Sequence, residues 1–164
     1  RLVDELEQNP PSATSPQLES LVRKCIKMKQ SVVERDEYET TGLRATLNFG
    51  HTVGHAIEKV QDYQGALHGE AISIGMVVES WLGERLGLTP SGVTTRVRRA
   101  LESQGLPVML PDDTPDDALI EAMRMDKKRS GDRLAFSLLT GLGTCKLVTD
   151  VDVEQVRAAL NDHR

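Results

Sequence analysis

Aromatic residues make up only 3% of this 164-residue chain, so its packed interior has to be aliphatic. Cysteine is equally scarce. Cys25 and Cys145 stand far apart, which excludes a disulfide framework and a cysteine metal cluster. No apolar run approaches the roughly 18 residues of a membrane span, and no signal-peptide pattern is visible. A cytoplasmic location is therefore expected. Basic residues number 20 against 25 acidic, a net charge of −5, without the basic stripe of a general nucleic-acid binder. A Gly-rich βαβ nucleotide site is missing too, as are repeats, low-complexity tracts and an interdomain linker. What remains is globular: 38% hydrophobic and 27% charged residues, enough for one domain, residues 1–164, around one core. The chain opens at Arg1 inside a helical pattern, and is expected to be a piece of a longer protein.

The pattern is mainly α. Leu2, Val3 and Leu6 give two turns that Pro10 and Pro11 stop. Ser15-Pro16 opens a helix reaching about Arg35. After the polar stretch 36–41, a periodic segment predicts one helix over 43–60. A loop over 61–67 follows. Residues 70–86 are apolar nearly all round, as a central buried helix is. Thr89-Pro90 starts a helix that stops at Gly105, and Thr114-Pro115 opens another to about Met125. Residues 133–140 and 144–149 alternate as two strands around Gly141-Leu142-Gly143, a small hairpin. A last helix covers 151–161.

The second long segment carries an unusual stripe. At 100° per residue, with His51 at zero, Arg44 projects at about 20°, His55 at about 40°, Asn48 at about 60° and Glu58 at about −20°. Phe49, Val53, Ala56 and Val60 fall opposite. An ordinary solvated face is Lys, Glu and Gln. Arginine, asparagine and two histidines suit an anionic, hydroxylated ligand or a metal. Gly50 and Gly54 weaken a helix, so another element is expected to press closely there. His51 and His55 have metal-pair spacing, but Thr52 stands where a zincin has glutamate. His68, just ahead of the buried helix, can reach back over the stripe. Spacing alone leaves open which histidines bind.

Lys29 sits amid an apolar stripe of Leu18, Val22, Cys25 and Val33. Its ammonium either snorkels to solvent or points into a cleft holding an anion. Lys127 and Lys128 form a short basic pair that, alone, reads as solvated charge.

Together these strings resemble 3-dehydroquinate synthase: residues 29–37 (KQSVVERDE), 42–44 (GLR), 47–58 (LNFGHTVGHAIE), 67–71 (LHGEA), Gly75-Met76 and 125–128 (MDKK). The resemblance covers essentially the whole chain and points to the C-terminal, mainly helical domain of that fold. It implies zinc (or cobalt) and NAD as cofactors, with NAD bound mainly by an N-terminal domain outside this chain. It implies His51 and His68 as metal ligands, and His55 as a residue that binds the substrate's phosphate end and moves protons. Lys29, Arg44, Asn48, Glu39 and one of Lys127 and Lys128 fall on substrate positions, Lys29 also on a catalytic one. Around Glu39 the segment 38–41 runs one residue longer than the family pattern.

The implied reaction converts 3-deoxy-D-arabino-heptulosonate 7-phosphate to 3-dehydroquinate and phosphate in the shikimate pathway. It proceeds by oxidation, phosphate elimination, re-reduction, ring opening and aldol closure. Family likeness also implies a homodimer. The third metal ligand is implied to lie upstream of Arg1, so this chain alone is expected to be inactive and to bind zinc weakly. Two alternatives stand beside this one. A related cyclase acting on a hexose phosphate would lack a carboxylate for Arg44. A non-catalytic module using the histidines structurally would fold only with metal.

Overall fold

The computed structural model describes residues 2–12, 14–126 and 133–164. Its element order is α1 (Leu2–Gln8), α2 (Pro16–Arg35), a 3-10 turn (Arg44–Asn48), α3 (His51–Val60), α4 (His68–Arg85), α5 (Val93–Glu102), α6 (Asp116–Asp126), β1 (Arg133–Gly141), β2 (Thr144–Asp152) and α7 (Val153–Asn161). The expected class, mainly α with one hairpin, holds. β1 and β2 pair antiparallel, from Arg133 with Asp152 to Gly141 with Thr144.

The core lies where α3, α4, α6, β1 and α7 meet. It is aliphatic, as the shortage of aromatics required: Val53, Ile57, Ile74, Leu82, Leu119, Met123, Leu134, Leu138 and Leu160 are closed to solvent around one aromatic ring, Phe136. Helix α4 is buried along most of its length, including Ala71 through Gly75 and Val77 through Ser80. Both strand and helix sides thus converge on α4, which makes it the axis of the domain. No helix among the described residues is long and apolar enough to cross a membrane.

Four expectations need correction. Residues 43–60 do not form one helix: the 3-10 turn ends at Asn48, and Gly50, at φ +84°, starts a separate α3. The break has a steric cause. A Cβ at Gly50 would lie 2.7 Å from Met76 Cγ and 2.8 Å from the Ile72 carbonyl oxygen, so the backbone turns there to pass over α4. The close approach anticipated at Gly50 and Gly54 is this crossing. His68 is the first residue of α4 rather than a loop residue, because Glu70 Oε2 accepts the Leu67 N–H at 2.8 Å and starts the helix early. Helix α5 begins at Val93, after Gly92 at φ +88°, and not at Pro90. Strand β2 continues to Asp152, whose carboxylate then caps α7 by accepting the Glu154 N–H.

Helix α2 also differs from its pattern. Its apolar stripe predicts a buried face, yet the helix has no buried residue, and Val22, Ile26 and Met28 are exposed.

Candidate metal centre

Three of the four histidines meet. His51 and His55, at i and i+4 on α3, have ring centroids 5.3 Å apart. His68, at the start of α4, lies 5.7 Å from His51 and 6.0 Å from His55. The cluster exists because α3 and α4 pack closely at the glycines: a Cβ at Gly54 would stand 2.6 Å from Ile72 Cδ1 and 3.1 Å from the Ala71 carbonyl oxygen. The fourth, His163, is a core residue bonded to the Ala159 carbonyl and set against Trp81.

Two of the three rings are locked from behind. His51 Nδ1 lies 3.2 Å from the Phe49 carbonyl oxygen. A carbonyl can only accept, so Nδ1 carries the proton and Nε2 keeps its lone pair. His68 Nδ1 lies 3.0 Å from Glu58 Oε1, which fixes that ring in the same way. A backbone carbonyl or a carboxylate behind Nδ1 is the arrangement that orients a metal-binding imidazole. His55 is exposed and has no hydrogen-bond partner among the described residues. Burial holds His51 below the ordinary imidazole value of 6.5, partly offset by the Phe49 bond. It is therefore neutral near pH 7, as a ligand must be.

Donor atoms of His55, Glu58 and His68 also lie within 4.8 Å of one another. Glu58 is a residue the sequence placed on the stripe without giving it a role. Its carboxylate, 11% exposed, is the acid the cluster contains. Imidazoles with one carboxylate are a donor set that suits zinc or cobalt, so the residues present fit such an ion.

Arg44 and Asn48 belong to the 3-10 turn that leads into α3 rather than to the helix itself. Ser137 Oγ donates to the Ala45 carbonyl at 2.6 Å and pins the turn to the hairpin. Arg44 Nε pairs with Glu39 Oε1 at 3.0 Å, and its Nη1 donates to the Glu37 carbonyl, so Arg44 and Glu39 are brought together. Beneath them lies Asp36, 3% exposed. Its Oδ1 accepts the N–H groups of Thr40 and Thr41, and its Oδ2 that of Arg44, at 2.8–3.0 Å. These donors, the Arg44 amide foremost, lower its pKa to about 2. Asp36 carries no role in the sequence pattern beyond its place in the polar stretch; an acid between a long helix and a Gly-Leu-Arg turn is the one signal of it.

Lys29 is exposed on α2, and none of its described contacts joins it to the histidines. Lys127 and Lys128 lie outside the described residues.

Residues 1–129 match the family model described as 3-dehydroquinate synthase C-terminal. The chain is 44% identical over 158 residues to the 3-dehydroquinate synthase of Methylococcus capsulatus, covering 96% of itself and 43% of that protein. It is 36% identical to the one from Campylobacter hominis, covering 96% of itself and 45% of the relative. The chain thus spans under half the length of the relatives it matches. Among solved structures, a 2-deoxy-scyllo-inosose synthase complexed with carbaglucose-6-phosphate, NAD+ and Co2+ superposes with a TM-score of 0.78 at 29% identity, over 90% of this chain and 42% of that one. A 2-epi-5-epi-valiolone synthase from Streptomyces hygroscopicus, with NAD+ and Zn2+ bound, shares the fold with a TM-score of 0.81 at 24% identity, over 98% of this chain and 45% of that one. With the family model matched along most of its length, the chain belongs to the 3-dehydroquinate synthase C-terminal family.

Proposed function

We propose that this chain is the metal- and substrate-binding domain of a 3-dehydroquinate synthase, a cytoplasmic lyase of the shikimate pathway that works as a homodimer. Its substrate is 3-deoxy-D-arabino-heptulosonate 7-phosphate; its products are 3-dehydroquinate and phosphate. The carrying observation is the trio His51, His55 and His68, with the first and last locked through Nδ1 and the middle one making no hydrogen bond among the described residues.

His51 and His68 would hold the metal, each with Nε2 left free for it, completed by a ligand from outside the chain. When bound, zinc or cobalt would supply the Lewis acidity that polarises the alcohol to be oxidised, and NAD, held mainly by the part of the relatives that this chain does not span, would supply the hydride acceptor and donor. His55 contacts the substrate's phosphate end and relays protons during elimination. Arg44 forks onto the substrate carboxylate, Asn48 bonds a hydroxyl, and Lys29 and one of Lys127 and Lys128 contribute further cationic contacts. Glu39 lies beside Arg44 and holds its guanidinium in place until substrate arrives. Alone, a chain that spans under half the length of its relatives is expected to be inactive.

The likeness to 2-deoxy-scyllo-inosose synthase gives a second reading, a cyclase of a hexose phosphate. Arg44 separates the two, since a hexose phosphate has no carboxylate. The test is phosphate release by the full-length protein from the heptulosonate phosphate with NAD, with and without a chelator. Release that the chelator abolishes supports the synthase. No release from this substrate, but release from glucose 6-phosphate, moves the assignment to the cyclase.

A further inference from the structure

Helix α4 is apolar nearly all round and buried, yet at its centre stands a carboxylate with no solvent exposure, that of Glu79. A buried charge is costly unless it is fully hydrogen-bonded. This one is satisfied by the start of the neighbouring helix. Glu79 Oε2 accepts the Gly50 N–H at 2.7 Å, and Oε1 accepts the N–H groups of Thr52 and Val53 at 3.1 and 3.2 Å. Those are the N-cap, second and third residues of α3, donors that have no partner inside their own helix. An N-cap side chain would normally serve them. Gly50 has none, because its positive φ and the Met76 and Ile72 atoms beside it leave no room.

We propose that Glu79 is the positioning residue of the histidine cluster. It substitutes for the missing cap from the far side of the crossing and, because its bonds flank residue 51, fixes where His51 and, one turn on, His55 stand relative to His68. A carboxylate is needed rather than an amide: both oxygens accept, three donors converge on them, and the helix dipole adds to the attraction. Glutamine would aim an NH2 group at an N–H. The charge therefore sits in α4 not to stabilise that helix but to aim the neighbouring one.

This inference rests on the metal-centre reading above, and its test separates the two. In the full-length protein, Glu79→Gln and Glu79→Asp are compared with wild type for Zn2+ affinity by chelator competition, for the visible absorption of bound Co2+, and for helical content by circular dichroism. The expected result is at least tenfold weaker zinc binding and a displaced cobalt band, with helical content retained. Glu79→Asp keeps the charge but withdraws it by about 1.5 Å, one carbon–carbon bond. It decides the matter if the glutamine variant does not fold. Wild-type affinity and an unchanged cobalt spectrum in a folded variant, even one with a lower melting temperature, would overturn the positioning role. Wild type that binds neither metal would instead overturn the metal-centre reading beneath it.

Discussion

The Glu58 carboxylate, 11% exposed, sits 3.0 Å from Nδ1 of His68, an imidazole that is 60% exposed. A nearly buried acid thus anchors a nearly free ring, leaving Nε2 for a ligand. Glu58→Ala in the full-length protein is expected to weaken zinc affinity by about ten- to a hundredfold, the usual cost of losing such a partner. Chelator competition measures it. Unaltered affinity would mean that His68 needs no orienting acid.

The α3–α4 crossing makes a steric prediction. A methyl group at Gly54 would meet Ile72 Cδ1 at 2.6 Å and the Ala71 backbone at 3.1–3.2 Å. Gly54→Ala is expected to destabilise the domain by about 1–3 kcal/mol, the range for overpacking. Gly69, in the first turn of α4, has nothing within 4 Å of such a methyl. Gly69→Ala is expected to be neutral or stabilising by up to about 1 kcal/mol. Urea unfolding of the two variants compares them directly, and equal effects would contradict the crossing.

Acid should undo the Arg44 turn through Asp36. Its pKa is lowered from 3.8 to about 2 in the fold by the backbone N–H groups of Arg44, Thr41 and Thr40. Folding therefore releases a proton from this group between those values. Its contribution to stability is fully present above about pH 4 and is lost as the pH falls through about 2. The gap in melting temperature between wild type and Asp36→Asn is expected to be widest above pH 4 and to shrink towards pH 2. A constant gap would assign its effect to packing alone.

Arg44 should determine which substrate is taken. Arg44→Ala in the full-length protein is expected to raise KM for the carboxylated sugar phosphate more than it lowers kcat, because the carboxylate is carried unchanged from substrate to product and is held throughout the cycle. Steady-state kinetics on phosphate release reads the split. An unchanged KM would favour the hexose phosphate cyclase.

Most elements were legible because hydrophobic periodicity and Pro or Gly punctuation agree with burial: α4, α6 and the hairpin lie close to where the pattern put them. The stripe on residues 43–60 reads as one helix because periodicity does not register backbone torsion. Arg44 and Asn48 share a projected face with His51 and His55, but Gly50 at φ +84° breaks the helix between them. The histidine trio survived that break, since His51 and His55 lie on one side of it and His68 arrives from α4. Glu79 and Asp36 are illegible in the sequence for a common reason. Their partners are backbone N–H groups, which carry no sequence signature, and for Glu79 those donors lie 26–29 residues away. The stripe around Lys29 was visible, but its buried face is not formed by the described residues.

The division of labour among the three histidines is the central claim, and metal content tests it most directly. Full-length His51→Ala, His55→Ala and His68→Ala would each be loaded with zinc, dialysed, and assayed for bound metal and for phosphate release. The expected result is metal lost from the His51 and His68 variants, and metal retained without turnover in the His55 variant. Zinc lost from the His55 variant but kept by the His51 variant would contradict it, and would move the ligand set to His55, Glu58 and His68.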